Sequence, residues 1–209
     1  YELFFEDAKI ASRELELVLT GKDAGVEERV PMCGVPFHAV KGYLEKLVDK
    51  GYKVGIVEQM EDPSVAKGIV KRDVVQVVTP GTLVDLGLKD NSNNFLCYLD
   101  SDGNDVVVAY VDISIGEIHA LNIKKDFNSI KNEIDSLEAK EIVINETFDN
   151  NLLLEIKENC RVTISYVSSM NNDSKYDSLF TNVKDSRQIK AVRYLISYLL
   201  DTQKRSLDY

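Results

Sequence analysis

A mixed α/β fold in two successive domains is what the amino-acid sequence predicts, on three observations. Apolar residues recur with helical period in several stretches, β-branched runs of strand character stand between them, and a polar, Asn-rich segment interrupts the chain before its midpoint. The 209 residues suffice for about two domains of ordinary size. A hydrophobic fraction of 44% against 29% charged residues lets each bury a core and argues against general disorder.

The elements follow in order. Over residues 6–19 the apolar positions Ala8, Ala11, Leu15, Val18 and Leu19 keep helical spacing, with Glu6 and Asp7 in the first turn where the helix dipole favours negative charge. Residues 21–29 are polar, charged and carry two glycines, which predicts a loop. Pro31, Gly34 and Pro36 then restrict the backbone before a second helix over 38–50, with Val40, Leu44, Leu47 and Val48 on one face and Gly51 as its left-handed stop. Residues 52–60 and 74–78 are rich in β-branched residues and read as strands joined by a charged connection. Thr79-Pro80-Gly81-Thr82 breaks the second of these. The span 85–94, with Gly87, Asp90 and three asparagines, reads as a linker, so domains are expected over 1–86 and 95–182 with 87–94 between them.

The second domain begins at Phe95. A Val-Val-Val run within 104–109 and the stretch to Ile123 predict two long strands joined near Gly116. A helix over 126–140 follows, with Phe127, Ile130, Ile134 and Leu137 on one face, then a strand (141–145), a short helix (150–159) and a strand (161–167). Residues 167–182 are dominated by Ser, Asn and Asp and read as a loop or linker. From 185 to 205 the stripe Ile189, Val192, Leu195, Ile196 and Leu199 predicts a long amphipathic helix. There is no internal repeat.

Composition excludes several classes. No apolar run is long enough to span a bilayer, and the first residues lack a secretory pattern, so a cytoplasmic protein with no membrane partner is expected. Cys33, Cys97 and Cys160 are odd in number and show no C-x-x-C spacing, which signals neither a disulfide framework nor a zinc site. A net charge of −10 argues against strong autonomous nucleic-acid binding, because non-specific affinity comes mainly from Lys and Arg neutralising phosphates. Walker, G-x-G-x-x-G, G-x-S-x-G and H-E-x-x-H motifs are all missing, so no enzyme activity is expected of this stretch of chain.

The most informative residues are 31–83, which read PMCGVPFHAV, KGYLEKLVDKG and YKVGIVEQMEDPSVAKGIVKRDVVQVVTPGTL. With the opening YELFFEDAK they resemble the N-terminal, mismatch-reading domain of the MutS family of bacterial DNA mismatch-repair ATPases. The resemblance continues, more weakly, through the family's connector domain. It is recognisable again at Asp201-Thr202-Gln203-Lys204-Arg205, which resembles the start of the family's helical core domain, here 183–209. It implies a mixed-sheet α/β recognition domain, a ribonuclease-H-like α/β connector and the first helix of an all-α domain.

In that family a Phe-x-Glu element meets the mispaired base. Glu2 stands where its Glu would be, and the wedging phenylalanine would lie one residue before Tyr1. The family's Pro-Met-x-Gly-[IV]-Pro segment lies against the minor groove, which implies DNA contacts for Met32, Gly34 and Pro36; Cys33 stands where Ala is usual. His38 and Lys22 are the next candidates, reaching phosphates, and Lys67 belongs to a basic cluster that is either a solvated face or a backbone contact. On residue chemistry alone, the 31–38 segment is a rigid turn with Met32 and Phe37 filling core, and His38 is a surface histidine.

The resemblance further implies mismatched double-stranded DNA and MutL as partners, a homodimer in the full-length protein, ATP and magnesium bound outside this chain, a role in the DNA damage response, and a nucleoid-associated place in the bacterial cytoplasm. One rival reading is a metal-dependent nuclease of ribonuclease-H type. It would put a carboxylate on the first strand of the second domain, for which Asp112 is the candidate, with Glu133 and Glu146 as the only further ligands in reach of the pattern. No paired acidic motif supports it, and a lone strand-end Asp more commonly orients a turn. The other rival is a pure protein-interaction module.

Overall fold

The computed structural model describes residues 1–23, 25, 28–66, 68–83 and 95–204. Lys67, the expected linker 87–94 with the boundary at 86, and Arg205 lie outside the described residues. The chain forms two compact units, Tyr1–Val54 and Gly55–Tyr209.

The first unit contains strand β1 (Glu2–Phe4), helix α1 (Phe5–Leu15), strands β2 (Thr20–Lys22) and β3 (Val30–Gly34), a 3-10 turn (Phe37–Ala39) and helix α2 (Val40–Asp49). β3 is central, with β1 and β2 antiparallel on its two sides. Ala8, Ala11 and Leu15 of α1 pack with Cys33 and Leu47 over one sheet face, and Leu3, Tyr43 and Tyr52 close around them. Small residues on α1 let the helix approach closely enough for the Cys33 thiol to donate to the Ala8 carbonyl at 3.5 Å. The same burial pushes the Cys33 thiol above its ordinary pKa.

Two expectations are corrected here. The first helix stops at Leu15 instead of continuing to residue 19, because Glu16 turns left-handed (φ 57°) and Leu17 N–H and the Ser12 hydroxyl tie the chain back on itself. Val18 is left 79% exposed and Leu19 46%, so neither belongs to the helix's apolar face. The expected loop over 21–29 begins instead with β2.

The second unit begins within β4 (Val54–Gln59), which pairs with β5 (Arg72–Val78) as a two-stranded ribbon. The main sheet has the order β10-β9-β6-β7-β8, from β6 (Phe95–Asp100), β7 (Asp105–Asp112), β8 (Glu117–Lys124), β9 (Glu141–Ile144) and β10 (Thr163–Tyr166). β6 runs parallel to β9, and β9 to β10, while β6, β7 and β8 alternate. α3 (Phe127–Ser136), α4 (Asn150–Asn159) and α5 (Ser186–Gln203) cover it. Each begins at an aspartate, Asp126, Asp149 or Asp185, whose carboxylate accepts from first-turn N–H groups that would otherwise lack partners.

Both faces of this sheet are buried. Leu96, Tyr98, Val107, Ala109 and Val143 point to the face covered by Val192, Leu195, Ile196 and Leu199 of α5. Cys97, Leu99, Val106, Val108, Ile142 and Ile144 point to the other, under Ile130 and Ile134 of α3 and Leu152 and Ile156 of α4. The sequence reading did not include β6, which is the central strand. The apolar stripe of the last helix finds its partner in this sheet.

The expected loop over 167–182 contains a 3-10 segment, Ser174–Phe180, started by an Asp173 cap. Tyr176 of this segment is 1% exposed, and Arg193 of α5 clamps it through the Asp177 carboxylate (2.5 Å) and the Asn171 carbonyl (3.1 Å). One buried aromatic anchor and one arginine therefore order a stretch of polar composition.

The turn after β5 is held by a single buried carboxyl. Glu141 accepts from the Thr79 hydroxyl (2.5 Å), the Gly81 N–H (2.9 Å), the Tyr198 hydroxyl (2.5 Å) and the Ser165 hydroxyl. A Cβ at Gly81 would fall 2.6 Å from Leu96 Cδ1 and 3.0 Å from Glu141 Cβ, so a side chain there would have to push both buried neighbours aside. The side chain of Gln76 in β5 also donates to Gln203 of α5 at 3.3 Å. These bonds explain why residues beyond Val54 belong to the second compact unit.

Candidate nucleic-acid interface

Alternation along the three strands of the first unit decides which side chains leave the α1 side. The register pairs Glu2 with Gly34, Phe4 with Met32, Thr20 with Met32 and Lys22 with Val30. Leu3 and Cys33 point to α1, so Glu2, Phe4, Met32, Thr20 and Lys22 share the opposite face. No helix covers that face among the described residues of this unit. Four of the seven site residues read from the sequence, Glu2, Lys22, Met32 and Gly34, therefore lie together on one open sheet surface.

Within it, Lys22 Nζ sits 2.6 Å from Glu2 Oε2 and 5.2 Å from the centre of the Phe4 ring. The Thr20 hydroxyl donates to the Met32 carbonyl at 3.0 Å and lies 3.8 Å from its sulfur, which steadies the Met32 side chain. Gly34 is exposed, and a Cβ there would lie 3.1 Å from the Tyr1 carbonyl, tighter than ordinary contact. Met32 is partly exposed on this face and does not fill the core, which removes the rigid-turn reading for that residue.

Pro36 and His38 continue from the end of β3. Pro36 is extended (φ −70°, ψ 145°) and its carbonyl accepts from Ala39 N–H, closing the 3-10 turn on which His38 stands exposed. Phe37, expected as core filling, is 76% exposed and stacks on Tyr1 with ring centres 5.9 Å apart. Phe4 and Thr20 were not among the residues singled out in the sequence. Period-two spacing, Glu2 with Phe4 and Thr20 with Lys22, is the signal that could have found them, but three-residue strands show too little of it.

The carboxylates of the nuclease reading do not converge. Asp112 ends β7, where Oδ1 accepts from Ser114 N–H (2.9 Å) and its hydroxyl (2.5 Å), and Gly116 closes the hairpin with φ 74°. It shapes a turn. With β6 restored, the first strand of the sheet ends at Asp100, beside a cleft of about 470 Å3 lined by Ser101, Asp102, Lys125, Asn145, Asp149 and Lys190. There the Lys190 ammonium sits 3.1 Å from Asp100 and 3.0 Å from Asp102, and holds the Asp102 carboxylate below its ordinary pKa. An ammonium thus stands between the carboxylates. No group of three or more His, Cys, Asp or Glu side chains among the described residues is arranged to hold a metal ion. No helix among them is long and apolar enough to cross a membrane.

Comparison with known proteins finds two consecutive matches, the first of which runs past the boundary of the compact units at Val54 and takes in β4 and β5. Residues 1–87 match the family model described as MutS domain I, and residues 94–209 match MutS domain II. Over its whole length the chain is 42% identical to the DNA mismatch repair protein MutS of Caldicellulosiruptor saccharolyticus, and 43% identical to those of Clostridium tetani and Bacillus cereus. It spans about a quarter of the length of these relatives, 24% in each case. An α/β unit whose antiparallel sheet bears the open face, an α/β unit with a mixed five-stranded sheet after it, and two consecutive family matches lead to one conclusion: the chain belongs to the MutS family and carries its domains I and II.

Proposed function

We propose that the chain is the part of a DNA mismatch-repair protein that recognises mispaired or unpaired bases through the minor groove. The observation that carries this reading is the open sheet face, which gathers a carboxylate (Glu2), a flexible apolar side chain (Met32), a close-approach glycine (Gly34) and a lysine (Lys22). Pro36 and His38 extend it, and Lys67 is proposed as a backbone contact. A mispaired step costs less to unstack and kink than a paired one, so a surface that presses apolar groups into the groove discriminates through deformability. Glu2 then accepts a hydrogen bond from the extruded pair. Binding frees Lys22 from Glu2 for a phosphate.

The remaining length of the protein supplies the homodimer, the clamp on the duplex, and the ATP and magnesium site. The second unit passes the state of the DNA to these parts and to MutL. On this reading the chain itself catalyses nothing, and the protein works on the nucleoid in the bacterial cytoplasm as part of the DNA damage response.

Substituting Glu2→Ala in the intact protein tests the assignment. Its removal leaves Lys22 as an unpaired cation on the face, so homoduplex affinity rises while mismatch affinity changes less. Discrimination falls by about 1 to 2 kcal/mol, the scale of a charge-assisted hydrogen bond. Equal affinities of wild type and variant for matched and mismatched duplexes, at several salt concentrations, would remove Glu2 from the site.

A further inference from the structure

Lys22 and Glu2 are not neighbours in the sheet. They lie on opposite sides of β3 and are offset along it, Glu2 beside Gly34 and Lys22 beside Val30, with Met32 between. To place its ammonium 2.6 Å from Glu2 the lysine side chain runs diagonally across the open face, over the ring of Phe4. Lys22 therefore does more than offer a positive charge at an edge. It neutralises Glu2, the one carboxylate on this face among the described residues, and its stem lies across the surface that a groove would have to meet.

We propose that Lys22 is a positioning residue that holds Glu2 masked until a mispaired base claims the carboxylate. This rests on the reading of the open face as the mismatch-binding surface and adds a regulation to it. While the pair is closed, ordinary duplex meets a neutral surface and is not repelled. At a mispair, Glu2 turns to the extruded base and the freed ammonium turns to a phosphate, so one ion pair is exchanged for a hydrogen bond and a phosphate contact. Both side chains are about half exposed, 47% for Lys22 and 48% for Glu2, so the pair is weak enough to be exchanged at little cost. Substituting Lys22 leaves Glu2 permanently bare, which penalises approach of every duplex but is relieved only where a base accepts the carboxylate.

The test is a double-mutant cycle in the intact protein, Lys22→Gln and Glu2→Gln singly and together, with Lys22→Arg as the variant that keeps the pair. Affinities for a homoduplex and for the same sequence with one mispair are measured across a salt series. Lys22→Gln is expected to weaken homoduplex binding about fivefold more than mismatch binding, the scale of one exposed charge pair. Lys22→Arg keeps the wild-type ratio, and in the Glu2→Gln background Lys22→Gln lowers both affinities equally. An equal loss on both duplexes in the wild-type background makes Lys22 a plain phosphate contact and overturns the inference. So does a change of ratio that persists without Glu2, or no change at all. Silence of Glu2→Gln itself would overturn the reading of the face and this inference together, whereas a responsive Glu2 uncoupled from Lys22 would overturn the inference alone.

Discussion

The three-stranded and the five-stranded sheet are built from the same kinds of residue and meet water differently. The three-stranded sheet is covered on one face by α1 and leaves the other to Glu2, Phe4, Met32, Thr20 and Lys22. The five-stranded sheet is covered on both faces, by α5 on one side and α3 with α4 on the other. Polar groups on the open face are free to exchange water for a ligand. Polar groups inside the second unit cannot, so breaking a hydrogen bond there leaves a buried group without its partner. The difference separates where substitution should cost stability from where it should cost only recognition.

The largest effect is expected at Glu141. Replacing it by Ala leaves the Thr79, Ser165 and Tyr198 hydroxyls and the Gly81 N–H without their acceptor in a region closed to water. Glu141→Ala should lower the free energy of unfolding by about 3 to 5 kcal/mol, as for other broken buried polar networks. Urea denaturation followed by circular dichroism measures it; a loss under 1 kcal/mol, a threshold set by the usual worth of one hydrogen bond at about that value, would show that the site relaxes to admit water.

A smaller, pH-dependent effect belongs to Asp185, the cap of α5. The Asn122 side-chain amide, followed by the Arg187 backbone N–H, holds its carboxyl at about 2, below the ordinary 3.8. A depressed pKa in the folded state means that the stabilisation is present above 3.8 and is lost as pH falls towards about 2. Asp185→Asn keeps a capping side chain but does not titrate. The gap in urea midpoint between wild type and this variant should therefore narrow from pH 5 to pH 2, and a gap that stays constant over that interval would contradict the assignment.

The smallest effect on stability is expected on the open face. Glu2→Gln should change the unfolding free energy by less than about 0.5 kcal/mol, as exposed substitutions usually do, while altering DNA discrimination. A thermal melt beside a binding measurement checks both halves. Marked destabilisation by Glu2→Gln would erase the contrast between the two sheets.

Much of this architecture was legible in the sequence, and the omissions have physical causes. Helices α3, α4 and α5 each announce themselves by an aspartate before an apolar stripe. β6 was missed because Phe-Leu-Cys-Tyr-Leu is buried on both faces, and a strand with no solvent side shows no alternation. β2 is three residues long and contains Gly21, too little to carry a pattern. The candidate residues at the first unit were found through resemblance to a family. That Glu2 and Lys22 meet was not legible, because they lie twenty positions apart and the intervening register is fixed only by pairing with β3. Asp112 was weighed as a possible metal ligand because the missing strand shifted the count; once β6 is first, Asp100 takes that place and Lys190 already occupies it.

The turn that follows β5 has a mechanical meaning. Thr79 and Gly81 hang from the carboxyl of Glu141 at the start of β9, and the same carboxyl grips β10 through Ser165 and α5 through Tyr198. The chain leaving the β4–β5 ribbon therefore runs into a rivet and not into slack rope. Any tension along β5 would meet two strands and a helix at one point. A lever is useful only if its pivot does not slip, and here three separate stretches of chain are pinned by the two oxygens of one side chain.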